Sequence, residues 1–422
     1  MEYLQTGYTT RPSWIDFGNN RHWFLLFIIW PFMAFLAALS NYSRREARIV
    51  VYIYLVYFGL SFVVDEAGGD ALRYATELEK NALLPFSDFF KIVGGIYSTD
   101  DSVDIYEPFV SFLVSRLTDD HRILFAVFAA VFGFFYLKSI GILYDLYRKN
   151  PGPDALIHLL FFCVILPITT INGVRMWTAA WIFFYGAIHV VWYRDVRFLI
   201  LAFMASLVHF SFLSANVILL IYFIARNRNY IYLPMALVSF VLPQIISPFL
   251  QRLSLRLGGA LQTRFEGYTN EDYISGNLES MEDKAWFVKI GNDLVFYYLV
   301  FAVIIMQILS RKQIRNDRER NLYSFLLLFI SFVNFAAFIP TLGGRFKLVF
   351  FLFATTYLFI LFLHMKRSRV SVITIVGLFP MLLYAAVAFR TGATNMNAWI
   401  FTPGLGVPLL MPALSVAQLL FP

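Results

Sequence analysis

Arg175 is a charged residue in a strongly apolar part of the chain. It follows Asn172 at the start of an apolar helix that the sequence predicts over residues 175–193. A charge at membrane depth is costly, so such an arginine normally faces water or a partner group. A guanidinium can bind a phosphate through two parallel hydrogen bonds, which makes Arg175 a candidate phosphate ligand. The alternative is an interfacial arginine whose stem lies along the bilayer.

A second group of candidates lies in the acidic segment at residues 65–77, whose sequence is DEAGGDALRYATE. The glycine pair predicts a turn into a helix that places Asp70, Arg73 and Tyr74 on the same face as Glu77. Asp70 is then a candidate general base for a substrate hydroxyl. The alternative is that Asp70 only caps the helix and its neighbours form a solvated face.

Glu107 and Pro108 open an apolar segment at residues 107–118. The segment is too short to cross a bilayer, so we predict a re-entrant or interfacial helix. An acid and a proline are common at a helix start. A carboxylate at membrane depth nevertheless indicates function, which makes Glu107 a second candidate base.

Three further residues complete the candidates. His209 ends a predicted span and is either a packing residue, a proton acceptor or a phosphate donor. Arg264 is supported by little beyond its charge. Arg345 follows Pro340 and a glycine pair, which predict a break in the helix; irregular backbone at membrane depth lines a cavity, so Arg345 would face it.

The elements that position these residues follow from composition. The 422 residues are 59% apolar, 19% aromatic and only 14% charged, which is typical of a polytopic membrane protein. In lipid, apolar runs of this length form helices, so the predicted fold class is all-α with one domain over residues 1–422. We predict a re-entrant helix at 107–118 and 12 transmembrane helices, at about 23–40, 47–64, 122–145, 154–171, 175–193, 196–210, 211–226, 230–250, 286–310, 322–340, 347–365 and 370–390.

The short basic loops set the orientation, because lysine and arginine collect on the cytoplasmic side. With these spans, every such loop falls on one side and every candidate residue on the other. The outer segments are then residues 65–121, 251–285 and the tail 391–422. A single helix over 196–226 would be about 46 Å long and would reverse the downstream orientation, so a break is predicted near Ser211–Ser214.

Several classes of function find no support. The single cysteine, Cys163, excludes an internal disulfide and a cysteine-rich metal or redox site. The sequence has no HExxH, phosphate-binding loop or GxSxG motif, so no metal, cofactor or nucleotide-driven mechanism is predicted. The net charge of +7 lies in short loops, where it sets topology and does not indicate nucleic-acid binding.

Five short pieces occur in a recognisable order: Asp70 with Arg73-Tyr74, Glu107-Pro108, Asn172-Gly-Val-Arg175, His209-Phe-Ser, and Gly344-Arg-Phe. Spread over residues 65–350, this pattern resembles the EpsG group of Wzy-like bacterial polysaccharide polymerases. The aspartate-rich first loop departs from the pattern by offering alternatives to Asp70.

The resemblance implies a membrane-embedded, GT-C-like glycosyltransferase in the bacterial cytoplasmic (inner) membrane, acting at its periplasmic face. It would move a growing glycan from undecaprenyl pyrophosphate onto the next lipid-linked repeat unit, with inversion and without a metal. A chain-length regulator and a flippase are implied partners. The implied catalytic residues are Asp70, Glu107 and His209. The implied substrate-binding residues are Arg73, Tyr74, Asn172, Arg175, Arg264 and Arg345.

Two alternatives remain at this stage. An O-antigen ligase differs only in its acceptor. A flippase for lipid-linked sugars would also need a cationic cavity, with charge distributed through the middle of many helices.

Overall fold

The computed structural model describes residues 21–65, 68–88, 104–241, 286–309, 316–337, 340–365 and 369–420. These residues form α-helices, two short 3₁₀ helices at Ile168–Gly173 and Ala398–Phe401, and an isolated β-bridge between Asn397 and Ser415. The all-α prediction is confirmed. The number of spans and the GT-C-like arrangement stay predictions.

The helices are numbered in chain order over the described residues. The first nine are α1 (Arg21–Ile29), α2 (Pro31–Ser40), α3 (Arg45–Leu60), α4 (Asp70–Ala82), α5 (Tyr106–Ser115), α6 (His121–Tyr147), α7 (Pro153–Ile165), α8 (Val174–Trp192) and α9 (Phe198–Val208). The remainder are α10 (Phe212–Ala225), α11 (Asn229–Val238), α12 (Trp286–Leu309), α13 (Asp317–Ala336), α14 (Pro340–Met365), α15 (Val372–Ala393), α16 (Val407–Leu410) and α17 (Val416–Leu420).

The protein is a membrane protein by the length and composition of its helices. Five helical segments are long and apolar enough to cross a bilayer: His121–Tyr147, Pro153–Trp192, Trp286–Leu309, Leu342–Met365 and Val372–Ala393. Other apolar helices are shorter, such as α9 with 11 residues and α10 with 14. At 1.5 Å per residue, these two rise about 16 and 21 Å, less than the roughly 30 Å of the hydrocarbon layer.

The stretch at residues 196–226 is a helical hairpin. The backbone at His209 is extended, with φ −147° and ψ 117°, and it separates α9 from α10. Across the hairpin, the side-chain amide of Asn216 donates to the carbonyl of Ala202 at 3.0 Å and to the hydroxyl of Ser206 at 2.9 Å. The predicted break is confirmed, slightly earlier in the chain than expected.

α8 and α14 form the centre of the bundle. α8 packs against α6, α9 and α13, and nearly all of its residues are buried. Trp181 of α8 is fully buried, and its indole donates to the carbonyl of Leu166 at 3.2 Å. In α14, 89% of the apolar stretch is buried. Val174 therefore begins a helix that is buried along most of its length, and this packing holds the first turn of α8 in place.

One end of the bundle carries those basic loops that the structure describes. There Asn227 donates to the side chain of Asn321 at 2.7 Å, and Arg194 donates to the same oxygen at 3.4 Å. Arg48 pairs with Asp145 at 2.6 Å, which joins the start of α3 to the end of α6. Each of these contacts joins helix ends that the predicted topology places on the same side of the membrane.

The opposite end is closed by the segment after α15. Asn395 donates from its amide to the carbonyl of Val63 at 3.0 Å, and its own carbonyl accepts from the Val63 amide at 3.1 Å. Further along, Tyr57 donates to the carbonyl of Leu405 at 2.9 Å, and Arg122 donates to that of Leu409 at 2.9 Å. The predicted tail thus begins after Ala393 and packs on the ends of α3 and α6.

α13 ends at Ala336 and α14 begins at Pro340, so a helix boundary lies at the proline, whereas the predicted break over the glycine pair is wrong. α14 begins at Pro340 and continues through both glycines and Arg345. Proline suits the first helical position, because its missing N–H would have no intrahelical acceptor there. Gly343 serves close packing instead, since a Cβ there would lie 2.5 Å from the Cα of Ala337.

Gly186 allows α8 and α9 to cross in contact. A Cβ on Gly186 would lie 2.7 Å from the backbone nitrogen of Ala202. We expect Gly186→Ala to destabilise the protein by about 1–3 kcal/mol, because backbone cannot give way as a side chain can. The measurement is the apparent melting temperature of purified protein in detergent.

Gly344→Ala is the matched control, since nothing lies within 4 Å of a Cβ at that helical position. Its melting temperature should be unchanged or slightly higher, because alanine favours a helix over glycine by up to about 1 kcal/mol. Equal melting temperatures for wild type and Gly186→Ala would contradict the close crossing.

Candidate functional site

A cavity of about 870 Å³ lies at the end of the bundle opposite the basic loops. Six of the predicted site residues line it: Asp70, Tyr74, Asn172, Arg175, His209 and Arg345. Deeper along α10, α14 and α15 the lining becomes apolar and includes Val217, Leu348, Val387 and Ala388. The cavity lining therefore combines a charged part at helix ends with an apolar part further along the helices.

Arg175 is the centre of the charged lining. From the first turn of α8 its Nη1 donates to Asp104 Oδ2 at 3.1 Å, and its Nε donates to the Tyr74 hydroxyl at 3.2 Å. Nη2 lies 3.8 Å from Asp70 Oδ1. One guanidinium thus holds two carboxylates and a phenol, and the two carboxylates converge on one side of the cavity.

Asp104 is the site residue that the sequence analysis did not single out. It is 6% exposed, and its Oδ1 accepts from the Phe210 amide at 2.7 Å and lies 3.8 Å from His209 Nδ1. Its position is fixed further by the Ile105 amide, which donates to the Leu207 carbonyl at 3.0 Å. An aspartate between valine and isoleucine was the available signal, because a solvated loop rarely surrounds an acid with apolar residues.

Asp70 is the more open of the two carboxylates. Gly68 and Gly69 have φ of +124° and +102°, values that other residues rarely adopt, so the predicted glycine turn into α4 is confirmed. The side chain of Asp70 is 45% exposed and binds Arg73 at 2.9 Å. Its carboxylate is therefore accessible from the cavity and also held in place.

The alternative that Asp70 only caps α4 is wrong. No side-chain cap is formed at this helix start. The amide of Ala71 donates instead to the side-chain oxygen of Asn172 at 3.2 Å, which joins the start of α4 to the segment before α8. Asn172 satisfies one free donor of the helix, and Asp70 is left to interact with cations.

Tyr74 and Arg73 are neighbours on α4 that differ in exposure, and the Arg73 guanidinium lies 5.1 Å from the centre of the Tyr74 ring. Tyr74 is fully buried, and burial raises its pKa to about 12, so its hydroxyl stays protonated while it accepts from Arg175. Arg73 is exposed and lies between Asp70 and Glu77, with its Nε 4.0 Å from the latter. It supports Asp70 from outside the cavity lining.

His209 and Arg345 lie in the cavity close enough for the charge of Arg345 to act on the imidazole. His209 Nδ1 accepts from the Ser211 amide at 3.4 Å, a contact that favours the tautomer with its proton on Nε2. Arg345 forms no ion pair with an acid among the residues that the structure describes. Its neighbour Lys347 pairs with Asp293 at 2.6 Å. Arg345 is thus the cation of this lining that is available to an anionic ligand.

Glu107 lies beneath α4 and not in the cavity lining. It is 3% exposed in the first turn of α5, close enough to Glu77 for the charge of that carboxylate to act on it. Burial, followed by the charge of Glu77, raises the pKa of Glu107 to about 8. At neutral pH the carboxyl of Glu107 is therefore mostly protonated, and in that form it can donate to Glu77 on α4. Arg264 lies outside the described residues.

Within the described ranges, no group of three or more His, Cys, Asp or Glu side chains is placed to hold a metal ion. The chemistry that these residues can perform is proton acceptance by Asp70 and anion binding by Arg345, with His209 as a neutral donor.

The contact between α4 and α5 should depend on pH. Folding raises the pKa of Glu107 from 4.5 to about 8, so its contribution to stability is fully present below pH 4.5 and is lost as pH rises through 8. We expect the melting temperature to fall between pH 6 and pH 9, as the free energy of unfolding decreases by at most about 1.4 kcal/mol per pH unit.

Glu107→Gln keeps a donor for Glu77 at every pH and should flatten this dependence. Glu79→Gln, on the exposed face of α4, is the control and should keep the wild-type slope. Identical pH profiles for wild type and Glu107→Gln would rule out the protonated contact.

The comparison with known proteins agrees with this geometry. No curated protein and no solved structure matches the chain significantly. The EpsG family model matches residues 66–401, which include every residue of the charged lining. Family membership points to a polysaccharide polymerase-type function. The resemblance read from the sequence is confirmed, and the chain belongs to the EpsG family.

Proposed function

We propose that the protein is a Wzy-type polysaccharide polymerase of the bacterial cytoplasmic membrane. It transfers a growing glycan from undecaprenyl pyrophosphate onto the next lipid-linked repeat unit at the outer face. The observation that carries the proposal is the division of the cavity lining into charged residues at helix ends and apolar residues further along the helices. A lipid-linked sugar has the same division, between its sugar diphosphate and its isoprenoid tail.

The orientation rests on the two ends of the bundle. Basic loops such as those of Arg148 and Arg194 lie at the end opposite the cavity, and cytoplasmic loops are the ones enriched in lysine and arginine. The cavity then opens on the outer side, where a chain assembled on a lipid carrier would be extended.

The proposed reaction is a single displacement at the anomeric carbon of the donor glycan. The acceptor hydroxyl oxygen forms the new bond to that carbon, and the bond from the carbon to the pyrophosphate oxygen breaks. The lipid pyrophosphate leaves with the electron pair, and the hydroxyl proton passes to a carboxylate. Because the oxygen attacks opposite the leaving group, the anomeric configuration inverts.

Asp70 is the proposed base. Its carboxylate is half-exposed in the cavity, so it can reach an acceptor hydroxyl. Asp104 suits the role less well, because it is buried and its two oxygens already accept from Arg175 and the Phe210 amide. Arg175 lies between the two carboxylates, and we assign it the role of holding Asp70 in position.

Arg345 is the proposed ligand of the leaving pyrophosphate. Charge that develops on the leaving oxygen needs a preorganised cation or donor in a site that excludes water. The guanidinium of Arg175 is already engaged by Asp104, Asp70 and Tyr74, which leaves Arg345 as the more available cation. The Nε2–H of His209 would be a second donor.

Purified wild-type protein given only a lipid-linked repeat unit should form a ladder of chain lengths on a gel. Asp70→Asn should lower the rate about 10²–10⁴-fold, because it removes the proton acceptor and keeps the shape. Glu79→Gln, on the same helix but outside the cavity lining, should keep the wild-type rate.

An absent ladder, with transfer only after a lipid A acceptor is added, would replace the polymerase with a ligase. A ladder of normal rate from Asp70→Asn would remove Asp70 from the mechanism while leaving the polymerase in place.

Arg345→Gln should slow the same assay about 10²–10³-fold, as expected when a donor to a developing oxyanion is lost. Arg345→Lys should recover only part of this loss, because a lysine keeps the charge without the planar fork. Arg148→Gln, a loss of the same charge at the opposite end, serves as the control. An unchanged rate for Arg345→Gln would show that the pyrophosphate is bound elsewhere.

A further inference from the structure

A second cavity, of about 500 Å³, lies at the end of the bundle that carries the basic loops. Four arginines line it: Arg194, Arg226, Arg228 and Arg320. They come from three separate elements, namely the turn after α8, the turn after α10 and the first turns of α13. The fold, and not the local sequence, therefore gathers four guanidinium groups around one concave surface.

The backbone of this cavity is held in an unusual conformation. Arg194 and Arg226 both have φ of +59°. No other non-glycine residue in the described part of the chain has a positive φ. Such a conformation is unfavourable for arginine and persists only where the surroundings enforce it. Asn321 supplies part of that support, because it accepts from Arg194 and from Asn227 and so joins the two turns.

The cavity is also short of negative charge. Arg320 pairs with Asp317 at 2.6 Å, whereas no acid in the described ranges pairs with Arg194, Arg226 or Arg228. Basic residues that only set the orientation of a membrane protein need to lie in a cytoplasmic loop and nothing more, as is expected of Arg148 and Lys149. Convergence of unpaired arginines on one cavity goes beyond that requirement and produces a field that favours an anion.

Apolar side chains form the rest of the rim. Ile224 is 73% exposed and Val196 is 52% exposed, and both line the cavity. The guanidinium of Arg226 lies 5.1 Å from the ring centre of Phe223. A surface that offers cations beside exposed aliphatic groups at a membrane boundary matches a phosphate attached to acyl chains.

We propose that this cavity binds the phosphate group of an anionic membrane lipid. Basic pockets between helices on the cytoplasmic side are suited to such headgroups, since the guanidinium fork matches phosphate oxygens. The site is separate from the proposed polymerase cavity, and its occupancy would fasten the α9–α10 hairpin to α13 at the opposite end of the bundle.

The test follows the melting temperature of the full-length protein in detergent while phosphatidylglycerol is added. Wild type should be stabilised by phosphatidylglycerol and much less by phosphatidylcholine, which has no net charge. Arg228→Gln combined with Arg320→Gln should raise the half-saturating lipid concentration about tenfold or more, because two charged hydrogen bonds to phosphate are lost. The single variant Arg228→Gln, at an exposed position, covers the case in which the double variant does not fold.

The control is Arg148→Gln combined with Lys149→Gln, which removes the same charge from exposed positions at the same end. It should respond to lipid as wild type does. A separate experiment adds inorganic pyrophosphate without lipid. If pyrophosphate stabilises wild type, and Arg228→Gln weakens that effect, the phosphate site is supported but its ligand is soluble. Equal stabilisation by lipid of wild type and of the arginine variants, or an equal loss in the control pair, would overturn the proposal.

Discussion

The guanidinium of Arg175 has to be paired, because its charge lies at the start of a helix that is buried along most of its length. Asp104, Tyr74 and Asp70 supply the partners, and each comes from a part of the chain remote from α8. Removing one partner of a buried ion pair typically costs about 3–5 kcal/mol, since the remaining charge is left uncompensated. The need to satisfy one arginine therefore fixes α4, the approach to α5 and the tip of the α9–α10 hairpin relative to α8.

The same requirement gives the cavity its polarity. Two carboxylates are held on the Arg175 side, and Arg345 extends from α14 without an acidic partner in the described residues. A donor with a diphosphate would meet the unpaired cation, while its acceptor would meet a carboxylate. The α9–α10 hairpin makes this possible, because its break at His209 brings an imidazole and a backbone amide to the depth of Asp104.

The two ends of the bundle show how one residue type serves different purposes. Arg48 is neutralised by Asp145 and joins two helices, whereas Arg194 and Arg226 converge on a cavity with little opposing charge. The polar contacts of the candidate site lie at the far end, so the two cavities do not share residues. Each end is thus stabilised by its own network, and the apolar middle of the bundle separates them.

Sequence alone determined the class of the protein and most of the charged lining. Apolar runs of membrane length leave helices as the only way to satisfy the backbone, and an arginine in such a run stands out against its surroundings. For the same reason Asp70, Arg175 and Arg345 were identifiable, and so was the break in residues 196–226, which a single helix of about 46 Å would not allow.

Only the tertiary structure decided which charges meet. Asp104 was one acid among many in an acidic loop, and its pairing with Arg175 depends on how α9 ends beside it. Glu107 had the same signals as Asp70, yet it packs against Glu77 beneath α4 instead of facing the cavity. The glycines before Arg345 fit equally a broken helix or a closely packed one, and the neighbouring backbone of Ala337 selects the second. Spacing along the chain specifies which side chains share a helix face. Which side chains meet across helices depends on the packing of segments that are far apart in sequence, and a local sequence pattern does not contain that information.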